Sequence, residues 1–409
     1  MKKTVAAVAC ALCLPFAFAA CGESTGGTSV NPTEDVKKDF PNYVEPDDAA
    51  YAFGLQEITR PFYTGNVIYN ESTLLIDDEE GTLKGKLQFT PVKILSVRDY
   101  TFTKEYDLSL FTVEGRNISA PSASEVPSLT EANLAGVKMP EGFQKTTAIS
   151  NVLTDCVQMG SAVYTESPFY YGRQVYVSYV YDVTELDRSL YATYATSGLT
   201  KTKNKLLLGD DLKIAATGDS VMEGCSSSKH FNREPFLDNF MDLTVQALNE
   251  VYDGEITVSN RAVGGKTSGW GADDVQTNAL AQDKPDLMYI HFGINDLGGR
   301  VSASSYKENI RKIVTDVQGS NPECEFVLIK ALAANPEIYL STGFEEYWAA
   351  LDELAGELEN VYTLDMYSQS VKLIGAKTYY DVTGNGINHV NDFSSRLYAM
   401  NMIGQLVKY

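Results

Sequence analysis

Residues 214–224 read IAATGDSVMEG, a short apolar strand that runs into a Gly-Asp-Ser turn. The texture differs on the two sides of this stretch. From Lys213 onward, strands and helices alternate. Residues 235–251 place Leu237, Phe240, Met241, Thr244, Leu248 and Val251 on one face at helical spacing. ITVSN (256–260) and LMYIHF (287–292) are the next strands. A helix from about residue 305 carries Ile310, Ile313, Val314 and Val317, with Ser305 and Glu308 in capping-box register. FVLIKAL (326–332) and VYTLD (361–365) are further strands, with a helix over 344–358 between them. A last helix starts near 393, with Asp392 expected as its N-cap. Short buried strands between helices predict a parallel sheet covered on both faces, a three-layer α/β/α domain over 206–409. Ligands of such sheets sit beyond the carboxyl ends of the strands, so chemistry belongs in the loops that follow them.

Upstream, over 51–205, the pattern changes. NVIYNESTLLI (66–76), KLQFT, VKILSVRD, YDLSLFTVEG and VYVSYVYDV (175–183) are β-branched and aromatic runs separated by Asp, Gly, Asn and Pro. No long stretch here carries a helical period, and the segment reads as a β-sandwich accessory domain. Its aromatic strands read as core, with carbohydrate binding left open. Residues 21–50 are rich in Gly, Ser, Thr, Pro and Asp, and read as a flexible tether.

The chain has 409 residues, 44% of them hydrophobic, which is enough to build a large core. Its 54 acidic residues outweigh 33 basic ones, for a net charge of -21. That balance argues against nucleic acid as a partner, since phosphate binding draws on clustered Lys and Arg. No apolar run after the first twenty residues is long enough to span a bilayer. Residues 1–20, with Lys2 and Lys3 ahead of TVAAVACALCLPFAFAA, read as a signal peptide. Phe18-Ala19-Ala20-Cys21 resembles a bacterial lipobox, which implies a lipid on Cys21 and a surface or membrane-anchored lipoprotein. Ordinary cleavage near Ala19 or Ala20 would give a secreted protein instead. A lipid anchor would be the sole membrane contact. Beyond that segment Cys156, Cys225 and Cys324 are widely spaced, with no CxxC, and no disulfide is expected. Three scattered His make a poor ligand set, so neither a metal nor any other cofactor is expected.

Four loops stand out in the α/β half. Gly218-Asp219-Ser220 can expose a hydroxyl on a tight turn at a strand end. Asn260-Arg261-Ala262-Val263-Gly264-Gly265-Lys266-Thr267 holds a Gly pair that can turn an N–H toward a pocket. Gly293-Ile294-Asn295-Asp296 offers an amide, and Asn388-His389 a histidine in a polar loop. His291 lies inside an apolar strand, where it reads as packing, and His230 reads as solvated.

In their order and spacing, these four blocks resemble the SGNH (GDSL-type) hydrolases over about residues 210–409. The resemblance implies a flavodoxin-like hydrolase fold. It also implies Ser220 as nucleophile, His389 as the general base, and an oxyanion hole from the N–H of Ser220, the N–H of Gly265 and the side chain of Asn295. The family usually places an Asp three residues before the His, and here that position is Gly386. The group that orients His389 is therefore open: a backbone carbonyl or amide such as Asn385 or Asn388, Asp381 or another remote acid, or Asp392. Asp219 and Asp296 read as loop-holding carboxylates, and Trp270 as a candidate wall of the substrate site.

With an all-β region first, the chain is similar to two-domain bacterial carbohydrate esterases, whose β-domain is jelly-roll-like. That implies removal of O-acetyl groups from a polysaccharide or oligosaccharide. A short-chain lipid or general esterase and an inactive glycan-binding lipoprotein are the alternatives.

Overall fold

The computed structural model describes residues 37–49, 54–338 and 343–409. The signal segment 1–20 and Cys21 lie outside the described residues. Five parallel strands organise the C-terminal half: β1 (Leu212–Gly218), β2 (Ile256–Asn260), β3 (Leu287–His291), β4 (Glu325–Lys330) and β5 (Val361–Asp365). Their order is β2-β1-β3-β4-β5. Leu212 pairs with Ile256 on one side of β1, and Gly218 pairs with His291 on the other. The chain leaves β1 for one edge and then turns back across it, so right-handed crossovers put the first helix on one face and the next three on the other. Phe240–Val251 packs with Asp392–Leu406 on the first face. Asp274–Asp283, Ala303–Ser320 and Phe344–Glu357 pack together on the second. The crevice at which the order reverses opens at the carboxyl ends of β1 and β3.

Two helix starts differ from the sequence reading. Ser302, not Ser305, caps its helix, accepting a 3.1 Å bond from the Ser305 N–H. Asn391, not Asp392, caps the last helix by accepting from Ser394 N–H. In both places several capping residue types are adjacent, and the backbone chooses among them.

Among the described residues the β region holds three sheets. Val67–Leu74, Gln174–Tyr181 and Pro91–Arg98 form one antiparallel sheet with Gln174–Tyr181 at its centre. A five-stranded sheet runs in the order Thr112–Glu114, Asn117–Pro121, Thr82–Lys86, Ile76–Asp77, Leu129–Thr130. Gln144–Thr146, Asp155–Met159 and Ala162–Tyr164 form the third.

All eight residues of Gln174–Tyr181 are buried, so this strand is covered on both faces rather than solvated on one. Part of that cover comes from the C-terminal half. Gln174 Nε2 donates 2.7 Å to the Tyr380 carbonyl, and Asn391 Nδ2 donates 2.8 Å to Gln174 Oε1. Arg396, from the last helix, is buried and donates to the carbonyls of Ile58, Tyr69 and Asn70. Lys377 and Glu71, both with fully buried side chains, form an ion pair across the same boundary. The all-β region and the α/β sheet therefore share one core and fall within one compact unit.

Two expected boundaries move as a result. Within the expected tether, Phe40 is buried, and Asn42 bonds Thr64 through both its backbone and its side chain. The helix Thr200–Leu208 caps the sheet by presenting the N–H groups of Lys201 and Thr202 to Glu325, so the α/β half begins ahead of residue 206.

Candidate active site

β1 ends at Gly218, where a Cβ would lie 2.4 Å from the His291 carbonyl and 2.7 Å from Met222 Cβ. Glycine there lets β1 and the following turn press against β3. Asp219 caps the one-turn helix Ser220–Glu223 by accepting 3.0 Å from Val221 N–H. Its Oδ1 also lies 3.2 Å from His291 Nδ1, and His291 Nε2 meets the Tyr398 hydroxyl at 3.1 Å. His291 is thus a fully buried strut behind the turn. The hydroxyl of Ser220, 7% exposed, points instead to His389.

Ser220 Oγ lies 2.9 Å from His389 Nε2. Two side chains fix the histidine loop: Asn385 Oδ1 accepts from the N–H groups of Ile387, Asn388 and His389, each at 3.0 Å, and Thr383 Oγ1 donates to the His389 carbonyl at 3.0 Å. The His389 carbonyl accepts in turn from Gly384 N–H at 2.9 Å. Glu223 Oε2 takes the Gly264 N–H at 2.7 Å and so ties the Gly pair to the Ser220 turn. Gly265 follows with φ +74°. Among the described residues, neither the Ser220 N–H nor the Gly265 N–H finds a protein acceptor. Asn295 Nδ2 donates 3.0 Å to the Lys266 carbonyl, which brings the third loop against the second.

Asp296 takes the Ser268 N–H and hydroxyl. Burial pushes its carboxyl up despite those bonds. Trp270 is half-buried against the core, with Lys266 Nζ 5.9 Å above its ring. Cys225 sits close by, but burial and the neighbouring Glu223 push its thiol up to about 12, so it is not a thiolate at neutral pH.

None of the carboxylates or amides named from the sequence touches the imidazole, and the other remote acid left open there is the one that does. Asp381 is fully buried and accepts from Leu74 N–H at 2.7 Å and from Thr378, joining the β region to the α/β half. Asp392 accepts the Ser228 N–H at 2.9 Å, and burial pushes its carboxyl up to about 6. Asn388 Oδ1 receives a bond from Asn385 Nδ2. Nδ1 of His389 faces Ser226 Oγ at 3.1 Å and Glu166 Oε1 at 3.4 Å. Glu166 comes from the β region, where no carboxylate was expected to take part. The signal in the sequence was a vacancy, Gly386 in place of Asp, which shows that the acid is missing without showing where it has gone.

Gly386 has its own reason. Its φ is +85°, and a Cβ would lie 2.3 Å from the Val163 carbonyl and 2.6 Å from the Tyr170 ring. The β region occupies the space that a side chain would need. Gly386→Ala is expected to lower stability by about 2–4 kcal/mol, from a backbone clash added to left-handed strain. Chemical denaturation measures this, and a change under about 0.5 kcal/mol, the range of ordinary surface substitutions, contradicts the packing described.

Residues 216–393 match the model of the GDSL-like Lipase/Acylhydrolase family. A comparison with curated proteins gave no match. Among solved structures the chain is similar to the lipase/acylhydrolase from Enterococcus faecalis, at 22% identity over 47% of this chain and 93% of that one, with a TM-score of 0.39. It is similar to a carbohydrate esterase family 3 protein from Talaromyces cellulolyticus, at 13% identity over 47% and 94%, with a TM-score of 0.38. A two-domain esterase active on acetylated mannans is 21% identical over 49% of this chain and 51% of that one, with a TM-score of 0.39. Residues 216–393, within the C-terminal half, are thus a hydrolase domain of the SGNH, or GDSL, type, and they follow an N-terminal all-β region.

Proposed function

We propose that the chain is a serine esterase that removes O-acetyl or similarly short acyl groups from carbohydrate. The observation that carries this reading is the 2.9 Å contact of Ser220 Oγ with His389 Nε2 at the carboxyl ends of parallel strands. Ser220 Oγ attacks the ester carbonyl while His389 takes its proton. The developing oxyanion is received by the N–H groups of Ser220 and Gly265 and by the Asn295 amide. His389 returns the proton to the departing sugar hydroxyl, and water then releases the acyl group from Ser220 by the reverse sequence. Because the imidazole must be neutral to act, activity falls in acid.

The groups bonded to His389 or to its partner Glu166, namely Ser226, Tyr164 and Asn385, are polar. A long acyl chain needs an apolar wall, so these surroundings favour a hydroxylated leaving group and a short acyl chain. We also propose that the enzyme works outside the cytoplasm, held by a lipid on Cys21, because Phe18-Ala19-Ala20-Cys21 follows a basic and then apolar leader.

The test is acetate release from acetylated xylan, alongside p-nitrophenyl acetate and p-nitrophenyl octanoate. Release from the xylan and the acetate ester, with the octanoate at least about tenfold slower, is the expected result. Preference for the octanoate overturns the short-acyl reading and favours lipid. Folded protein inactive on all three, yet retained by a glycan, leaves a binding protein instead.

A further inference from the structure

The geometry points to Glu166, supplied by the β region, as the positioning carboxylate of His389, acting directly and through the hydroxyl of Ser226. The inference rests on the esterase reading. Glu166 Oε1 lies 3.4 Å from Nδ1 of His389, and its Oε2 lies 3.5 Å from Ser226 Oγ, which is itself 3.1 Å from Nδ1. Nδ1 therefore faces two acceptors, a hydroxyl and a carboxylate. A proton held at Nδ1 leaves the lone pair of Nε2 directed at Ser220, the tautomer a general base needs. When Nε2 receives the Ser220 proton, the imidazolium forms beside a negative charge. The side chains of His389 and Glu166 are 12% and 16% exposed, so water screens that attraction little.

Glu166 is held for this task. The Tyr164 hydroxyl donates to Oε1 at 2.9 Å, and Asn385 Nδ2 approaches the same oxygen at 3.4 Å. Thr165 N–H donates 3.2 Å to the Asn385 carbonyl, so the segment carrying Glu166 is docked on the loop carrying His389. Burial pushes the Glu166 carboxyl up, but the bonds from His389, Tyr164 and Asn385 outweigh it, and the group sits below the usual Glu range. It is ionised at neutral pH. Ser226 has φ +70°, a backbone conformation that a non-glycine residue keeps only where its surroundings impose it. That conformation puts its hydroxyl between the two partners.

Other titratable groups face the pair. Tyr164, Tyr171 and Cys225 feel the Glu166 charge, Tyr171 feels that of Asp392 as well, and Cys225 those of Glu223 and Asp219. Burial pushes both Tyr hydroxyls and the Cys225 thiol up, so all three are neutral. Arg233 acts on Tyr171. Of the four carboxylates, Glu223 is engaged with Gly264, Asp219 with Val221 and His291, and Asp392 with Ser228, which leaves Glu166 in contact with the ring.

The consequence is that the catalytic apparatus straddles the two regions. A change confined to the β region silences chemistry whose nucleophile and base are untouched.

The deciding variant is Glu166→Gln, which keeps shape and removes charge, measured in the full chain on p-nitrophenyl acetate. The expected result is a fall in kcat of about a hundredfold with KM within about threefold. The acid limb of the kcat/KM profile also moves to lower pH by about one unit, because a neighbouring carboxylate favours the protonated ring. Its position does not depend on how much enzyme is folded, so it separates positioning from damage. Glu166→Asp is expected to keep the wild-type limb with an intermediate kcat. Ser226→Ala is expected to fall less than Glu166→Gln, since the direct carboxylate contact survives.

A Glu166→Gln enzyme within twofold of wild type, or one whose acid limb has not moved, overturns the inference while leaving the esterase standing. A wild-type enzyme with no esterase activity, or Ser220→Ala as active as wild type, overturns the esterase reading instead.

Discussion

Ser220→Ala and His389→Ala are each expected to lower kcat/KM on p-nitrophenyl acetate by about 10⁴- to 10⁶-fold, and the double variant by no more than either alone. The 2.9 Å contact makes the two side chains one device. Without the imidazole, the Ser220 proton has nowhere to go as attack begins. Without the hydroxyl, the imidazole has nothing to activate but water. The second loss therefore removes little that the first had not already removed. A residual rate over water remains in all three variants, because the oxyanion donors at Ser220 N–H, Gly265 N–H and Asn295 are still in place. Multiplicative losses in the double variant would show that Ser220 and His389 act separately, contrary to the mechanism. Single losses under about a hundredfold would move the nucleophile elsewhere.

The first three of the four loops were legible because each follows a strand with a strong local period. LMYIHF announces β3, and the loop behind it carries Asn295. The same logic reached Ser220 at the end of β1 and Gly265 after β2. What those loops share is the carboxyl edge of one sheet, a property of the strand pattern itself. Glu166 has no such pattern. It stands in a short irregular segment after Ala162–Tyr164, and nothing around it alternates toward a site. Tertiary packing alone carries it to His389.

The nearest carboxylates along the chain, Asp381 and Asp392, invited the opposite choice because nearness in sequence stands in for nearness in space. Here it failed for a physical reason. Both are committed elsewhere, to Leu74 N–H and Ser228 N–H, and their bonds hold the scaffold on which His389 rests. The described end of the expected tether, residues 37–49, raised the same difficulty. Its composition is that of a linker, but Phe40 and Asn42 within it pack on the fold, and Phe40 and Tyr43 are too few to make a period.

The boundary between the regions yields the largest expected effect on stability. Lys377 follows the helix Met366–Ala376, and its ammonium meets Glu71, the Ser72 carbonyl at 2.6 Å and Thr73 Oγ1 at 3.2 Å. Glu71 accepts in addition from Gln88 N–H at 2.8 Å and from the Tyr179 hydroxyl at 2.5 Å. Both partners are fully buried. Replacing such a pair as a whole can be nearly neutral, because the desolvation of two charges offsets much of their attraction. Removing one partner is different, for it leaves the other charge in a dry interior with nothing to balance it.

Lys377→Met is accordingly expected to lower the free energy of unfolding by about 3–5 kcal/mol. Adding Glu71→Gln should return more than half of that, since the amide oxygen still accepts from Gln88 and the Glu71 charge is no longer stranded. Denaturant unfolding followed by tyrosine fluorescence and by loss of esterase activity reads both effects. Because Glu71 belongs to the β region and Lys377 to the α/β half, the two signals should also fall together at one midpoint in the wild type. A Lys377→Met variant within about 1 kcal/mol of wild type would mean that water reaches the pair, which its burial forbids. Two separate midpoints would mean that the regions unfold independently, and a site that takes its carboxylate from one and its nucleophile from the other could not then outlast the weaker of them.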